Sequence, residues 1–571
     1  MRKWWLILLS CLCVAAVSSC KSDEKGETSS EPVSIEKSTE SETETSSKQE
    51  DCESVSEEDS ASTPADGSSE GESSSSEDSS SKDSGNEEEN SHNVSEGLAY
   101  TLNDDRISYS VTGVGTCTDT DIIIPAQYEG LPVTTIGEWA FWGRSSLTSI
   151  EIPDSITTIG SSAFNGCTNL TFNEYENCQY FGNESNPYHV LIKVKDSTST
   201  SYTIHEDTKV IAGSVFQYCS SLTSVVIPDS VTTIGSYAFA NCDVLTSMVI
   251  PDSVTTIGEG AFYWCDSLTF NEYENGQYLG NGSNPYHVLI MGKDNTSTSY
   301  TIHEDTKVIA GRAFFNCRSL TSVEIGDSVT TIGDRAFCLC SSLTSVVIPG
   351  SVTTIGSYAF SSCDSLTSIT VGENNTAYQS IDGNLYTKDG TTLMQYAIGK
   401  TATEFIIPHG VTTIGYSAFS GCRSLTSVEI GDSVTTIGDE AFFNCSSLTS
   451  VEIGDSVTTI GDRAFMNCSS LTSVVIPDSV TTIGSSAFDS CSSLTSIVIP
   501  DSVTSIAYGA FFFCDSLTEL YYKGTESDWE KVSIGDYNTE LTNATRYYYS
   551  ETEPTVSGNY WHYVDGVVTK W

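Results

Sequence analysis

The stretch that decides the fold runs from Leu222 to Cys242 and reads LTSVVIPDSVTTIGSYAFANC. Leu222, Val225 and Ile227 place apolar side chains on one face of a strand, and Pro228 stands where the chain must turn. Copies of this stretch recur along the chain, each marked by the Phe of an Ala-Phe pair (once Val-Phe). These thirteen residues are Phe141, Phe164, Phe216, Phe239, Phe262, Phe314, Phe337, Phe360, Phe419, Phe442, Phe465, Phe488 and Phe511. They are spaced 23 residues apart, except for two gaps of 52 residues and one of 59.

A unit of 23 residues with this apolar spacing has the length and pattern of a leucine-rich repeat. One unit cannot bury its apolar edge alone, so neighbouring units must stack, with strands about 4.8 Å apart. We therefore predict a repeat solenoid, mainly β as a parallel ladder, with short helical turns around the Ala-Phe pairs and β-hairpin insertions.

The solenoid is predicted over residues 97–520, with thirteen repeats. The longer gaps predict insertions near 173–202, 271–300 and 372–404. Their Tyr, Val, Leu and Ile residues, interspersed with Asn, Gly and Pro, indicate hairpins that leave the solenoid. The first two insertions are near copies at an offset of 98 residues. Residues 521–571 are rich in aromatic residues and are predicted to cap the open end of the ladder.

The N-terminus has the pattern of an export signal. Basic residues precede an apolar run that is too short for a comfortable membrane span, and small residues close it. Val17-Ser18-Ser19-Cys20 resembles the lipobox of bacterial lipoproteins, so residues 1–19 are predicted to be a lipoprotein signal peptide and Cys20 its lipidated residue. An ordinary signal peptide is the alternative. Residues 20–96 are rich in Ser and Glu and are predicted to form a disordered tether.

The charge of the chain bears on its partners. The chain has 571 residues, with 25 Lys and Arg against 76 Asp and Glu, a net charge of −51, and 38% of it is hydrophobic. Binding to nucleic acid is dominated by basic residues that neutralise phosphates, so we expect no nucleic-acid partner.

The repeat motif, over roughly residues 141–517, resembles the BspA-like leucine-rich-repeat surface proteins of bacteria. The resemblance implies display on the cell surface and binding of host or microbial surface components. It implies no particular ligand, because the match lies at scaffold positions. The expected partners are protein or glycan ligands, together with the membrane through the lipid anchor. A structural envelope protein without a dedicated ligand is the alternative.

Cysteine recurs three residues after the marker Phe. The twelve residues are Cys167, Cys219, Cys242, Cys265, Cys317, Cys340, Cys363, Cys422, Cys445, Cys468, Cys491 and Cys514. Stacking would bring neighbouring Cα atoms within reach of a disulfide, but parallel Cα–Cβ bonds suit its torsion poorly. The favoured interpretation is a ladder of buried free thiols that behave as small apolar residues.

The chain contains no recognisable catalytic, phosphate-binding or dinucleotide motif, so we predict no enzyme and no cofactor. Four of the seven histidines occupy only two distinct positions, because His189/His287 and His205/His303 are equivalent residues in the two copies of one insertion. Packing within the hairpins explains these histidines more simply than catalysis does. Asp residues at the turns, such as Asp229, favour turn capping over a calcium ladder, and no metal site is predicted.

Residues between the inward strand positions should point outward and form the candidate ligand-binding face. They are Glu151, Val226, Val249, Glu324, Val347, Thr370, Glu429, Glu452, Val475 and Val498. Two interpretations stay open at this point. The row is either a long shallow binding surface, or a product of strand propensity and recent duplication.

Overall fold

Each 23-residue unit contributes one strand to each of two parallel ladders in the computed structural model of the chain. The structure describes residues 94–103, 108–160 and 162–571. The predicted signal peptide at 1–19, Cys20 and all of the predicted tether except 94–96 lie outside the described residues.

Ladder A is built from the Leu-x-x-Val-x-Ile segments and their counterparts. Its strands are Asp121–Ile123, Ser149–Glu151, Ser201–Thr203, Ser224–Val226, Ser299–Thr301, Ser322–Glu324, Ser345–Ile348, Ser368–Val371, Glu404–Ile406, Ser427–Ile430, Ser450–Ile453, Ser473–Val475, Ser496–Ile499, Glu519–Tyr522 and Thr545–Tyr549. Neighbouring strands align equivalent residues, so that Val428 pairs with Val451 and Glu429 with Glu452. A side chain therefore faces the same way in every rung.

Ladder B is built from the Thr-Ile segments that follow each turn, together with strands of the insertions and the termini. Its strands are Leu131–Ile136, Thr158–Ile159, Val190–Val194, Val210–Ile211, Thr233–Ile234, Thr256–Ile257, Val288–Gly292, Val308–Ile309, Thr331–Ile332, Thr354–Ile355, Thr392–Gln395, Thr413–Ile414, Thr436–Ile437, Thr459–Ile460, Thr482–Ile483, Ser505–Ile506 and Ser533–Ile534. Register is again kept, as in Thr459 with Thr482 and Ile460 with Ile483. The predicted parallel solenoid is confirmed.

The core lies between the two ladders and the Ala-Phe turns. In one unit Phe465, Cys468, Leu471, Val474 and Ile476 are all at most 2% exposed. The marker rings stack along the axis: Phe465 lies 5.0 Å from the ring of the preceding unit and 5.3 Å from that of the next. Such stacked pairs add about 0.5–1.5 kcal/mol beyond the burial of their area.

The Ala-Phe segments are irregular turns and not the predicted short helical turns. The residues two before and two after every marker Phe adopt left-handed φ, for example Arg463 at 54° and Asn467 at 62°. A left-handed residue interrupts a right-handed run, which prevents a helix. In the described residues helices occur only at Glu526–Trp529 and Thr539–Asn543.

The insertions contain antiparallel hairpins, as predicted, but they do not leave the solenoid. The hairpin strands are Asn173–Tyr175 with Cys178–Phe181, Asn271–Tyr273 with Gly276–Leu279, and Tyr378–Ile381 with Asn384–Thr387. The next strand of each insertion joins ladder B in parallel, as Val190 does with Val210 and Leu191 with Ile211. Val190 and Leu191 are fully buried, so their apolar side chains hold the insertion to the core.

The ends of the solenoid carry additional strands. Ala99–Leu102, Tyr109–Gly113 and Gln127–Tyr128 precede the first regular unit. At the C-terminus, Tyr560–Val564 and Val567–Lys570 form a hairpin that extends ladder A beyond Thr545–Tyr549. Trp561 is fully buried there and its indole N–H donates to the Tyr522 carbonyl at 3.0 Å. This hairpin covers the last rungs.

Replacement of Phe465 by Ala should lower the free energy of unfolding by about 3–5 kcal/mol, because it removes a buried ring together with its stacking contacts to the two neighbouring rings. Phe513→Ala is the matched control, because Phe513 lies in an equivalent turn but is 52% exposed; its effect should stay below about 1 kcal/mol. Urea unfolding followed by circular dichroism measures both. Equal losses would show that the ring stack does not stabilise the solenoid.

Candidate functional site

The predicted ligand-binding row lies along ladder A, where eight of the ten side chains are exposed. Val226 is the most exposed of the apolar ones, at 73%. The exposed members are Val226, Val249, Glu324, Val347, Thr370, Glu429, Glu452 and Val475, and Glu151 is half-buried. We call the eight exposed residues, together with Glu151, the outward row.

Val498 does not belong to the outward row. Its side chain is only 3% exposed, because it packs with Tyr521 and Trp561 in a small apolar cluster. The strand that holds Val498 pairs with Glu519–Tyr522, and the C-terminal hairpin then covers this part of the sheet. The expectation that Val498 faces a ligand is therefore wrong.

Ile406 belongs to the same surface but was missed in the sequence. It is 63% exposed and pairs with Glu429, which in turn pairs with Glu452. Its unit follows the third insertion and lacks the leading Leu, which hides the pattern. The Ile406-Ile407-Pro408 run keeps the Val-Ile-Pro order of Val226 and could have identified it.

The Thr residues that precede the strands of both ladders serve the scaffold. Thr449 donates its hydroxyl to the Thr426 carbonyl at 2.9 Å in ladder A, and Thr458 donates to the Thr435 carbonyl at 3.2 Å in ladder B. The same bond joins equivalent Thr residues in most neighbouring rungs. Occupied hydroxyls are poor candidates for ligand contacts, which favours the structural interpretation for these positions.

The repeat cysteines form a ladder of thiols, and nine of the twelve donate a hydrogen bond to a main-chain carbonyl. Cys468 Sγ donates to the Phe442 carbonyl at 3.2 Å, and Cys491 Sγ donates to the Phe465 carbonyl at 3.2 Å. All fifteen cysteines of the described residues are free. A thiol fits this position because it is small, apolar and still satisfies a carbonyl of the preceding unit.

The histidines of the insertions are held by packing and main-chain contacts. His189 is 3% exposed, and its Nε2 donates to the Ile156 carbonyl at 2.8 Å, which fixes the proton on that nitrogen. Its copy His287 makes the same contact to the Val254 carbonyl at 2.9 Å. His205 stacks on Tyr188 with ring centroids 3.9 Å apart.

A second surface carries exposed aromatic rings. Trp139, Trp142, Tyr218, Trp264 and Phe513 lie in Ala-Phe turns and are each more than half exposed. The turn positions flanking the Ala-Phe pair differ between repeats that are otherwise nearly identical. That internal variation is the signal by which the sequence could have identified this edge.

A large cleft lies against ladder B and not against the outward row. It measures about 1400 Å³ and is lined by units between residues 134 and 258, by residues 353–416 and by a few N-terminal residues. Ser and Thr dominate the lining. The charged lining residues are Glu138, Asp334, Lys388 and Asp389. Sequence analysis missed the cleft, because it depends on the path of the whole solenoid.

A buried carboxylate joins the turns on either side of the second insertion. Glu259 is 6% exposed and accepts from Arg312 Nη2 at 2.6 Å, from Arg335 and from the Tyr237 hydroxyl. Asp334, beside Arg335, lines the cleft. A carboxylate with this many charged partners is satisfied, and loss of one partner would be costly.

A similar contact spans the third insertion. Glu440 is 8% exposed and accepts from Arg463 Nη1 at 3.0 Å and from the Tyr358 hydroxyl. Tyr358 and Tyr416 are hydrogen-bonded to each other through their hydroxyls, and both line the cleft. These contacts, together with those of Glu259, position the turns that border the cleft.

No group of three or more His, Cys, Asp or Glu side chains in the described part of the chain could hold a metal ion. Among those same residues there is also no helix with the length and apolar character needed to cross a membrane.

Comparison with known proteins identifies a family of similar proteins. The family model described as the BspA type leucine-rich repeat region, in six copies, matches residues 116–189, 194–283, 293–388 and 391–518. A leucine-rich cell surface protein from Faecalibacterium prausnitzii is 32% identical over 77% of this chain and 96% of that chain, with a TM-score of 0.41. No curated protein sequence matches.

Two further solved structures are similar at lower identity. A leucine-rich repeat protein from Bacteroides ovatus is 24% identical over 80% of this chain and 99% of that chain, with a TM-score of 0.31. The pneumococcal vaccine antigen PcpA is 20% identical over 67% of this chain and 94% of that chain, with a TM-score of 0.41.

The buried repeat thiols should resist alkylation in the folded chain. Burial raises the pKa of Cys242 to about 12 and that of Cys468 well above the usual value, so the reactive thiolate is scarce at neutral pH. Half-buried Cys117 and Cys167 should react first with iodoacetamide, and the buried repeat cysteines only after denaturation. Mass spectrometry of peptides from native and unfolded protein distinguishes the two sets. Native labelling of Cys468 as fast as Cys117 would contradict the thiol ladder.

Proposed function

This chain belongs to the BspA-type leucine-rich repeat family, and from that premise we propose that it is a non-enzymatic binding scaffold displayed outside the cell. In this proposal the solenoid holds a protein or glycan of a host or microbial surface. Similarity to a cell surface protein of Faecalibacterium prausnitzii supports the location.

The outward row is the observation that carries the proposal. Its apolar members Val226, Val249, Val347 and Val475 are between 47% and 73% exposed, whereas the valines at adjacent inward positions, Val225, Val346 and Val474, are at most 8% exposed. Apolar side chains repeated along an exposed sheet surface favour contact with a macromolecule. Glu324, Glu429 and Glu452 in the same row add negative charge that would select among partners.

The proposed anchor is a lipid on Cys20. The apolar run that precedes it and the small residues at 18 and 19 support this, and acyl chains bind a membrane by about 0.8 kcal/mol per buried methylene. The Ser/Glu-rich residues 20–96 would then hold the solenoid away from the membrane, with a reach on the order of 50 Å for a flexible chain of that length.

The binding face is tested with V226T/V249T/V347T/V475T, which keeps β-branched side chains but removes apolar surface. The full chain, purified in detergent, should bind a panel of immobilised matrix proteins and mucins in a saturable way, and this variant should bind at least about tenfold more weakly. The control V244T/V556T/V567T changes exposed valines outside the row and should bind like the wild type.

If neither protein shows saturable binding to any member of the panel, the binding scaffold is refuted and the structural envelope protein is favoured. The near identity of the repeats, including adjacent Glu429 and Glu452, is what favours that second function.

Anchoring is tested by Cys20→Ser in the producing cells. The wild-type chain should incorporate labelled palmitate and stay with the membrane fraction, because the acyl chains hold it there. The variant should lose the label and appear in the medium. Retention of the variant in the membrane without label would refute the lipid anchor and leave the binding face untouched.

A further inference from the structure

We propose that the cleft against ladder B binds a neutral carbohydrate chain. The proposal rests on the proposed binding function and gives it a ligand class and a site, on a surface separate from the outward row. Three properties of the cleft carry it: its size, the state of its hydroxyl groups and the small number of charged side chains in its lining.

The cleft is too large for a single small molecule and suits an oligosaccharide. Small-molecule sites have volumes of about 300–1000 Å³, whereas this cleft measures about 1400 Å³. Two separate stretches of chain line it, residues 134–258 and 353–416. A bound chain would therefore contact both stretches at once, and the contacts of Glu259 and Glu440 hold the bordering turns in place before it arrives.

The hydroxyl groups of the cleft fall into two sets. The first Thr of most Thr-Thr-Ile runs is occupied, as Thr255 Oγ1 donates to the Thr232 carbonyl at 3.4 Å. The second Thr is different: Thr256 and Thr354 are exposed, line the cleft and make no hydrogen bond through their hydroxyls to any described residue. Thr158 has the same state.

Free Thr hydroxyls match a ligand made of hydroxyl groups. Each can donate one hydrogen bond and accept others, as each sugar hydroxyl can. Thr158, Thr256 and Thr354 do not lie on adjacent rungs: the strands Val190–Val194, Val210–Ile211 and Thr233–Ile234 come between the first two. A ligand that meets more than one of these hydroxyls must therefore be a chain of several sugar units. Tyr358 and Tyr416 also line the cleft and are half-buried, so the accessible part of each ring can contact the C–H groups of a sugar.

The electrostatics of the cleft argue for a neutral ligand. Glu138, Asp334, Lys388 and Asp389 are its charged lining residues, so it holds one basic side chain against three acidic ones. The chain as a whole carries a net charge of −51, which repels anionic polymers. A basic peptide would find its charges mostly unpaired among the Thr and Gly residues, and such burial is costly.

The test is isothermal titration calorimetry on the full chain in detergent with four neutral probes, maltohexaose, cellohexaose, xylohexaose and mannohexaose. Hexagalacturonic acid is the anionic probe. At least one neutral probe should bind in a saturable way, and the anionic probe at least about tenfold more weakly. T256V/T354V removes the free hydroxyls from both stretches and should weaken binding of the neutral probe at least about tenfold; T158V should weaken it less.

The control is T459V/T482V, which changes exposed residues at the same repeat position on rungs that do not line the cleft. It should bind like the wild type. The proposal is overturned if no neutral probe binds below about 10 mM, if the anionic probe binds as tightly, or if the control weakens binding as much as T256V/T354V.

The outcome is independent of the outward row. V226T/V249T/V347T/V475T should keep its sugar affinity, because none of its residues lines the cleft. Sugar binding that is lost in this variant while its circular dichroism is unchanged would place the carbohydrate on ladder A and refute the cleft. Failure of every sugar with intact binding to matrix proteins would refute the cleft and leave the proposed function standing.

Discussion

Every unit of this protein depends on its neighbours to complete its hydrogen bonds and its core. The main-chain N–H of Phe465 donates to the carbonyl of Ala487 in the next unit, and the thiol of Cys468 donates to the carbonyl of Phe442 in the preceding one. Such contacts are possible only if equivalent atoms lie one rung apart. The constraint explains why the unit length stays at 23 residues and why the inward residues change so little between repeats.

The insertions obey the same constraint, since each adds a rung. Their third strands join ladder B, and a Tyr from each takes the place of the missing marker ring. Tyr202 packs tilted against Phe216 at 5.2 Å, Tyr300 packs edge-on against Phe314 at 4.9 Å, and Tyr396 stacks on Phe419 at 5.0 Å. A longer segment can therefore enter the solenoid without opening its core. The turns accommodate the extra length: Glu259 bonds to Arg335, 76 residues away, and Glu440 bonds to Tyr358, 82 residues away.

What the sequence predicts well is what repeats. The inward residues, the parallel ladders and the free thiols follow from one unit and the rule that units stack. Three features could not be predicted from the repeat: the burial of Val498, the paths of the insertions and the cleft. The C-terminal hairpin covers Val498, and the contacts of Arg335 and Tyr358 across the insertions set the turns that border the cleft. The left-handed turn residues were hidden for another reason. Asn and Gly favour that conformation, but Trp264 and Tyr218 do not, so no residue preference marks the position.

The ladder also decides which residues remain available for function. A Thr hydroxyl that bonds to the previous rung and a Cys thiol that bonds to a Phe carbonyl are committed to the scaffold, however exposed or reactive the residue type. The residues that remain available to bind a ligand are those whose side chains the stacking does not use. They are the outward row of ladder A, the variable turn residues such as Trp264, and the exposed second Thr of the Thr-Thr-Ile run. Most side chains at these positions make no hydrogen bond to a neighbouring unit, so they can change with little penalty in the core. The exceptions in the outward row are Thr370, which donates to the Val346 carbonyl, and Glu324, which accepts from the Thr301 hydroxyl. Members of one repeat family can therefore keep the same scaffold and differ in ligand, which is why membership in the family assigns a fold to this chain and leaves its ligand to be found by experiment.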